Sequence, residues 1–370
     1  MPQKNSIFIS VGDPSGDIAG SHLMHELKKR RPGLSFWGFG GRKMESAGQL
    51  QLANRNELSV MGFWEVAKKF LFFKRLMNET VLKIRQEKPI AIILVDYPGF
   101  NLRLAERIRD LKVPIIYYIS PQIWAWGQKR IHDIKRLVDT MLLILPFEPE
   151  IYDRAGVRNK FVGHYLLDDI NDELIRSPYN TDSDLILLMP GSRPQEIQRM
   201  LPTLLGAASN LAVKRDFRFA IAAVDEEIDY PSYLADIPFP VEIVKGRARD
   251  LINESRLVLT SSGTATLEIG IIGRPMVVIY KTGWLTFQIA KRLVKVDKIA
   301  LINWVAGEKI VPELIQHDAV PEKIAAEADR FLNDTELARR TVNRLHETVA
   351  LLGETGTASR AADTVMELIA

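Results

Sequence analysis

No cysteine occurs in the 370 residues. That excludes disulfides, thiolate catalysis and sulfur-ligated zinc, and it fits a reducing compartment. Long apolar runs are missing too: "AIILV" and "MLLILPF" fall far short of the ~20 residues a membrane-spanning helix needs. The start, "MPQKNSIFISVG", has no charged region followed by an apolar one, so no signal peptide is expected. Neither sign of charge dominates. Lys and Arg number 49 against 46 Asp and Glu, a formal charge of +3, so no nucleic-acid partner is implied, although local basic patches remain open. The histidines are scattered without HExxH or zinc spacing, and no lysine follows the glycines as in a P-loop; no metal is expected. "DSD" at Asp182–Asp184 imitates an acidic metal pair but sits in a polar connection and is read as solvated.

What is present is a globular composition, 46% hydrophobic and 26% charged, in a chain too long for one compact core. Short β-branched runs alternate with longer amphipathic ones, the pattern of βα units around parallel sheets. In the first half the strand candidates are "SIFISV", "SFWGFG", "IAIILVD", "PIIYYIS" and "TMLLIL". Helices are predicted over Asp17–Arg30, Glu65–Gln86, Leu102–Leu111 and Gly127–Leu137. Periodicity fades over Leu166–Asp184, which reads as a linker. A second series follows: "DLILLMP", "RFAIAAV", "PVEIVK", "RLVLTS" and "PMVVIY", with helix from Pro321 to the end. The fold class is therefore α/β, two Rossmann-like domains facing a cleft (residues 1–167 and 168–333), followed by C-terminal helices (334–370). In such sheets ligands bind beyond the carboxyl ends of the strands.

Two loops in the second half suit an anion. "MPGSRPQEI" offers Gly191 for a tight turn, Ser192 as a cap, Pro194 at the first helical position and a projecting Arg193. "TSSGTATLE" repeats this logic, with Ser262 or Thr264 as cap, Gly263 between them, and unpaired N–H groups where the helix starts. Either loop alone reads more simply as a capped helix without a ligand. Two on one sheet edge, one with an arginine, point to a diphosphate. Glu268, one turn on from Thr264, could accept from a ribose diol or be an ordinary surface glutamate.

In the first half, "SVGDPSGDIAG" is a glycine-rich loop entering a helix, with Asp17 near its cap. "LVDYPGFN" puts Asp96 at the end of a buried strand, where a carboxylate can act as general base or simply make a turn. "YISPQIWAWGQKR" places Trp124 and Trp126 together after a strand, followed by Gln128, Lys129 and Arg130. "GFGG" at Gly38–Gly41 lacks the third glycine of a dinucleotide fingerprint. The stretch Gly62–Met77, "GFWEVAKKFLFFKRLM", interleaves Phe63, Trp64, Phe70, Leu71, Phe72 and Phe73 with Lys68, Lys69, Lys74 and Arg75. A buried helix would show one apolar stripe; this surface is wider and suits a headgroup layer or an acyl-chain groove.

Taken together, "GDPSGD", "GFGGRKMESAG", "VMGFWEV", "DYPGFNLRLA", "YYISPQIWAWGQKR", "LPFEPEIYDRAGV", "FVGH", "LMPGSRPQEI", "SSGTATLEI" and "LINWVAGEKIVPELIQ" closely resemble the lipid-A-disaccharide synthase family, in one order along nearly the whole chain. The resemblance implies a GT-B glycosyltransferase. Its UDP-2,3-diacylglucosamine donor would pass the sugar to 2,3-diacylglucosamine 1-phosphate, with inversion, giving a β-1,6-linked disaccharide and UDP. It implies that Ser262, Gly263 and Thr264 hold the UDP diphosphate with Arg193, that Glu268 addresses the ribose, and that Asp96 is the base. Asn303 matches a functionally important asparagine near the site. No cofactor beyond the UDP-sugar substrate is expected. Acylated substrates further imply peripheral attachment to the cytoplasmic face of the inner membrane.

Three positions depart from the family pattern. Asp13 stands in "GDPSGD" where a glutamate is usual, Gly99 where many relatives carry a second acid, and Tyr165 where proline is common. The first shortens the acidic side chain of that loop; the second concentrates the base assignment on Asp96. Two competing readings share the fold: a UDP-sugar 2-epimerase, which needs no acylated acceptor, and a non-catalytic sugar-nucleotide or lipid-binding module, which needs no base.

Overall fold

The computed structural model describes residues 5–54, 63–125, 127–224, 228–283 and 298–370, with backbone alone at 53, 54 and 63–71. The chain forms two compact units, Met1–Asp169 with Gly353–Ala370, and Ile170–Leu352.

The first unit is built on a parallel sheet of seven described strands: β1 (Ser6–Val11), β2 (Ser35–Gly40), β3 (Gln49–Asn54), β4 (Ala91–Val95), β5 (Ile115–Tyr118), β6 (Thr140–Leu143) and β7 (Asn159–Phe161). Their order is β3-β2-β1-β4-β5-β6-β7. β1, β4, β5 and β6 are buried along their whole length, as expected where helices cover both faces. On one face Phe8 meets Trp37 and Phe39 edge-on at 5.0 and 6.0 Å, and Phe39 meets Phe100 at 5.7 Å. Phe100 belongs to the helix Pro98–Ile108, whose buried Leu104 and Ile108 continue the same stripe.

The second unit repeats the plan. β8 (Leu185–Met189), β9 (Arg218–Ala223), β10 (Val241–Lys245), β11 (Leu257–Ser261), β12 (Met276–Tyr280) and β13 (Glu313–Ile315) are ordered β10-β9-β8-β11-β12-β13, all parallel. The helix Pro194–Ala212 buries Ile197, Leu201, Leu204, Ala208 and Leu211, the 3.6-residue spacing of one apolar face. It shares its core with Ile324, Ala328 and Phe331 of the helix Pro321–Asn333.

The C-terminal residues 334–370, expected as one helical block, are divided. Thr335–Ala350 packs within the second unit, where the absent side chain of Gly270 leaves room for Ile302 and Leu345. Thr357–Leu368 returns to the first unit of its own chain. Its Ala358, Ala361, Ala362 and Val365 are buried, and polar ties fix the docking. Arg30 donates to Asp363 Oδ1 at 2.7 Å and to Ser359 O at 3.0 Å, while Asp168 accepts from Gly356 N and Ala358 N at 2.5 and 3.1 Å. The expected linker contains two short helices, Leu166–Asp169 and Asp172–Ile175.

Candidate active site

In each sheet the chain runs outward from a central strand in one direction and then resumes on that strand's other side. This creates a topological switch point, where the loops leaving two adjacent strands diverge and a ligand can enter. In the second unit the point lies at β8 and β11, paired with Thr260 opposite Met189. The two anion-loop candidates leave from these strand ends. They run close together: a Cβ added to Gly191 would lie 3.4 Å from Ser261 Oγ.

Past β11 the backbone turns at Gly263, φ +153, where an added Cβ would meet nothing within 4 Å. The turn needs glycine, and the space above it is open. The helix Ala265–Ile272 begins with Thr264 as N-cap and no side-chain cap bond. Thr266 N and Leu267 N close on Gly263 O and Thr264 O at 3.1 and 3.0 Å, whereas the N–H groups of Gly263, Thr264 and Ala265 donate to no acceptor among the described residues. Donors left over in this way at a helix start, with open space above Gly263, can cradle an anion. Ser262 does not cap this helix; its Oγ donates to Ile299 O at 2.7 Å and tethers the loop.

After β8 the N-cap is Arg193, not Ser192, and Pro194 takes the first helical position as expected. Glu196 closes the loop, accepting from Ser192 N at 3.2 Å and from Arg193 Nη1 at 3.1 Å. The Arg193 side chain stays 55% exposed, so its remaining donors can reach a phosphate. Glu268 is committed on one oxygen: Oε1 accepts from Arg249 Nε and Nη2 at 3.1 and 2.9 Å. Oε2 meets no donor among the described residues. Arg249 lies on the helix Ala248–Glu254 after β10, and Lys281 just past β12; neither carries a motif in the sequence. Burial lowers the Lys281 ammonium below its usual range as it donates to Thr203 Oγ1 at 2.8 Å.

Asn303 takes a different place from the one expected of a ligand contact. It is fully buried. Its Nδ2 donates to Val311 O and Glu313 Oε1, both at 2.9 Å, and its Oδ1 accepts from Ile310 N and Val311 N at 2.9 and 3.1 Å. Both donors and both lone pairs are thereby used. Glu313 in turn accepts from Ile299 N and Ala300 N at 3.0 and 2.8 Å, which fixes the segment that receives Ser262. Asn303 is thus tied, through Glu313, to the segment that receives Ser262.

In the first unit the switch point lies at β1 and β4, with Val11 opposite Val95. Asp96 follows β4 directly, half-buried where Val95 is fully buried. Asp96 and Tyr97 both have left-handed backbone angles, φ 44 and 46. The Tyr97 ring lies against the backbone of Gly12, where a Cβ would come within 2.3 Å of Tyr97 Cγ. The helix after β1 starts at Pro14, earlier than predicted, because Asp13 caps it by accepting from Gly16 N at 2.9 Å. Asp17 lies near that cap, in the first turn of the helix. It is buried and accepts from Gly41 N, Met44 N and Lys43 N at 2.8, 3.1 and 3.2 Å, anchoring the turn after β2.

The aromatic loop after β5 is partly described. Ser120 pairs with the Tyr152 hydroxyl at 2.7 Å, and Trp124 packs edge-on against Phe147 at 5.2 Å; Trp126 lies outside the described residues. Beneath this loop sits Glu148, which the sequence reading passed over. It is fully buried, accepts from Leu145 N at 3.1 Å, and is pushed up to about 8 by burial, so it is mostly protonated at neutral pH. His164 is likewise kept neutral, burial lowering it to about 3, and Tyr165 stacks on its ring at 4.7 Å.

In the basic apolar stretch, Gly62 and the side chains of Phe63, Trp64, Lys68, Lys69, Phe70 and Leu71 lie outside the described residues. Farther along the helix Phe63–Glu87, Leu76, Met77, Thr80 and Ile84 are buried, Phe72 is 38% exposed and Lys74 and Arg75 face solvent. No described helix is long and apolar enough to cross a membrane.

Compared with known proteins, residues 7–367 match the family described as lipid-A-disaccharide synthetase. A lipid-A-disaccharide synthase from Anaeromyxobacter dehalogenans is 40% identical over 371 residues, covering 98% of this chain and 97% of its own. Among solved structures, the S. aureus MnaA–UDP complex aligns with a TM-score of 0.67 at 12% identity, covering 98% of this chain and 97% of that one. The calicheamicin glycosyltransferase CalG4 aligns at 0.63 and 16% identity, covering 100% and 99%. Likeness at such low identity speaks to the fold alone.

Proposed function

The chain belongs to the lipid-A-disaccharide synthase family, and from that premise we infer how its two sheet edges divide the reaction. It is a glycosyltransferase of lipid A biosynthesis, joining two acylated glucosamine units into the lipid A disaccharide. The donor is UDP-2,3-diacylglucosamine and the acceptor 2,3-diacylglucosamine 1-phosphate. The 2-epimerase and non-catalytic readings share the fold, and nothing in the site favours either; the family match over residues 7–367 supports the transferase.

The observation that supports the donor end is the cradle of N–H groups at Gly263, Thr264 and Ala265, which meet no acceptor among the described residues, with open space above Gly263. In the proposed arrangement these donors and Arg193 hold the diphosphate, Glu268 Oε2 accepts from a ribose hydroxyl, and Ser262 and Asn303 keep the cradle in shape. Asp96 takes the proton from the acceptor hydroxyl as its oxygen attacks the anomeric carbon. The bond from that carbon to the β-phosphate oxygen breaks, and the growing charge on UDP falls on donors already aimed at it. One displacement of this kind inverts the α-linked sugar to a β-linkage, with no covalent enzyme intermediate. No metal or other cofactor enters the proposed steps.

Because both substrates carry acyl chains, the enzyme is proposed to work at the cytoplasmic face of the inner membrane, held reversibly by the basic apolar stretch. The exposed Phe72, Lys74 and Arg75 support this. A basic residue beside an anionic leaflet contributes about 1 kcal/mol. The test of the overall function is UDP release from UDP-diacylglucosamine with and without the monosaccharide phosphate. Release that depends on the acceptor and yields disaccharide supports transfer; equal release without it contradicts the reading.

A further inference from the structure

Left-handed backbone at two consecutive non-glycine residues, Asp96 and Tyr97, persists only where the surroundings over-determine it, and a bulky residue such as Tyr is a true outlier there. What holds it is buried and polar. Asn101, fully buried on the helix that follows, sends its side chain back to the strand ends. Nδ2 donates to Asp96 O at 2.8 Å and to Val95 O at 3.2 Å, and Oδ1 accepts from Ser10 Oγ at 2.7 Å. The hydroxyl of Tyr117, buried on β5, donates to the same Asp96 O at 2.5 Å. One carbonyl oxygen thus receives two side-chain donors from different elements, and through Ser10 the clamp ties β1 to β4. Neither the ladder nor the helix requires this, since Asp96 N already donates to Tyr118 O at 3.0 Å and Asn101 N to Tyr97 O at 3.0 Å.

We propose that Asn101 and Tyr117 are positioning residues for the transfer: by clamping the Asp96 carbonyl they fix the left-handed turn, and with it the direction in which the Asp96 carboxylate leaves the sheet edge. The proposal rests on Asp96 being the base. Both residues act through Asp96.

Tyr117→Phe removes one hydroxyl and leaves the buried ring, so it is the primary variant. Asn101→Ala is the second, read only if it folds. Turnover at saturating substrates, acceptor KM, UDP affinity and thermal midpoint are measured for Tyr117→Phe in the wild-type and Asp96→Asn backgrounds. A misplaced catalytic group costs up to about 10²-fold. The expected result is about a tenfold loss of kcat in the wild-type background, with KM and UDP affinity unchanged, and no further loss in Asp96→Asn. Residues that act as one unit are non-additive in this way. Unchanged kcat in Tyr117→Phe, or the same loss in both backgrounds, overturns the proposal, the second result marking a merely structural role. Near-normal turnover of Asp96→Asn alone overturns the base assignment instead.

Discussion

Replacing Gly12 by alanine adds one methyl group where the structure has no space for it. The new Cβ would meet Tyr97 at Cγ, Cδ2 and Cδ1 at 2.3, 2.6 and 2.7 Å, well inside contact distance. The ring cannot swing away freely, because Phe100 stacks behind it at 6.0 Å and Phe100 is itself locked against Phe39. Tyr97 must therefore shift and carry the adjoining left-handed Asp96 with it. Overpacking of this kind costs about 1–3 kcal/mol, which for a domain of this size lowers the thermal midpoint by roughly 2–12 °C. A displacement of about 1 Å at the base is expected to lower kcat by up to about 10²-fold. UDP affinity should hold, since the cradle belongs to the other unit. Differential scanning calorimetry, UDP titration and steady-state turnover on one preparation separate these effects. A Gly12→Ala enzyme with wild-type stability and turnover would refute the packing argument and the link from Tyr97 to Asp96.

Arg193→Ala is expected to weaken UDP by about 1.5–3 kcal/mol, the range for a lost charge-assisted hydrogen bond, and to leave uridine unaffected in calorimetric titration; equal losses for both would contradict the phosphate role. Glu148, protonated in the fold up to about pH 8, loses its proton near pH 4.3 when unfolded. The unfolded state therefore binds fewer protons across that window, and the contribution of Glu148 to stability falls as pH rises through it. Glu148→Gln should flatten the decline of the thermal midpoint between pH 5 and pH 8, and an unchanged slope would contradict the shift. Changing Lys68, Lys69, Lys74 and Arg75 to Gln should reduce co-sedimentation with anionic vesicles. Equal binding, with no loss at high salt, would place the attachment elsewhere.

The parts of this structure that sequence made legible are those where one physical demand dominates. Strands buried on both faces must be mostly apolar, so β1, β4, β8 and β11 are read directly, and the loops leaving them carry the small and acidic residues that open strand ends tolerate. Edge strands meet no such demand. β3 alternates polar and apolar residues in "QLQLAN", with Leu50 64% exposed, and β7 and β13 span three residues each; none stood out in the sequence. Asn101 is equally hidden, because a buried amide that reaches back to three carbonyls is indistinguishable from a helix surface residue until the strands are in place. Asn303 carried a signal through the family resemblance, yet only its saturated hydrogen bonds separate a supporting role from a ligand contact. The return of Thr357–Leu368 to the first unit depends on ties such as Arg30 to Asp363, across 333 positions, which no local pattern encodes.

In the proposed reaction, proton removal belongs to Asp96 in the first unit and donor binding to the cradle and Arg193 in the second. Asp96→Asn tests it most directly, with turnover and UDP affinity measured on the same preparation. Turnover is expected to fall by roughly 10²–10⁴-fold, the range for lost acid–base catalysis, with the UDP dissociation constant unchanged. Near-normal turnover, or a loss of activity matched by a loss of UDP binding, would contradict it.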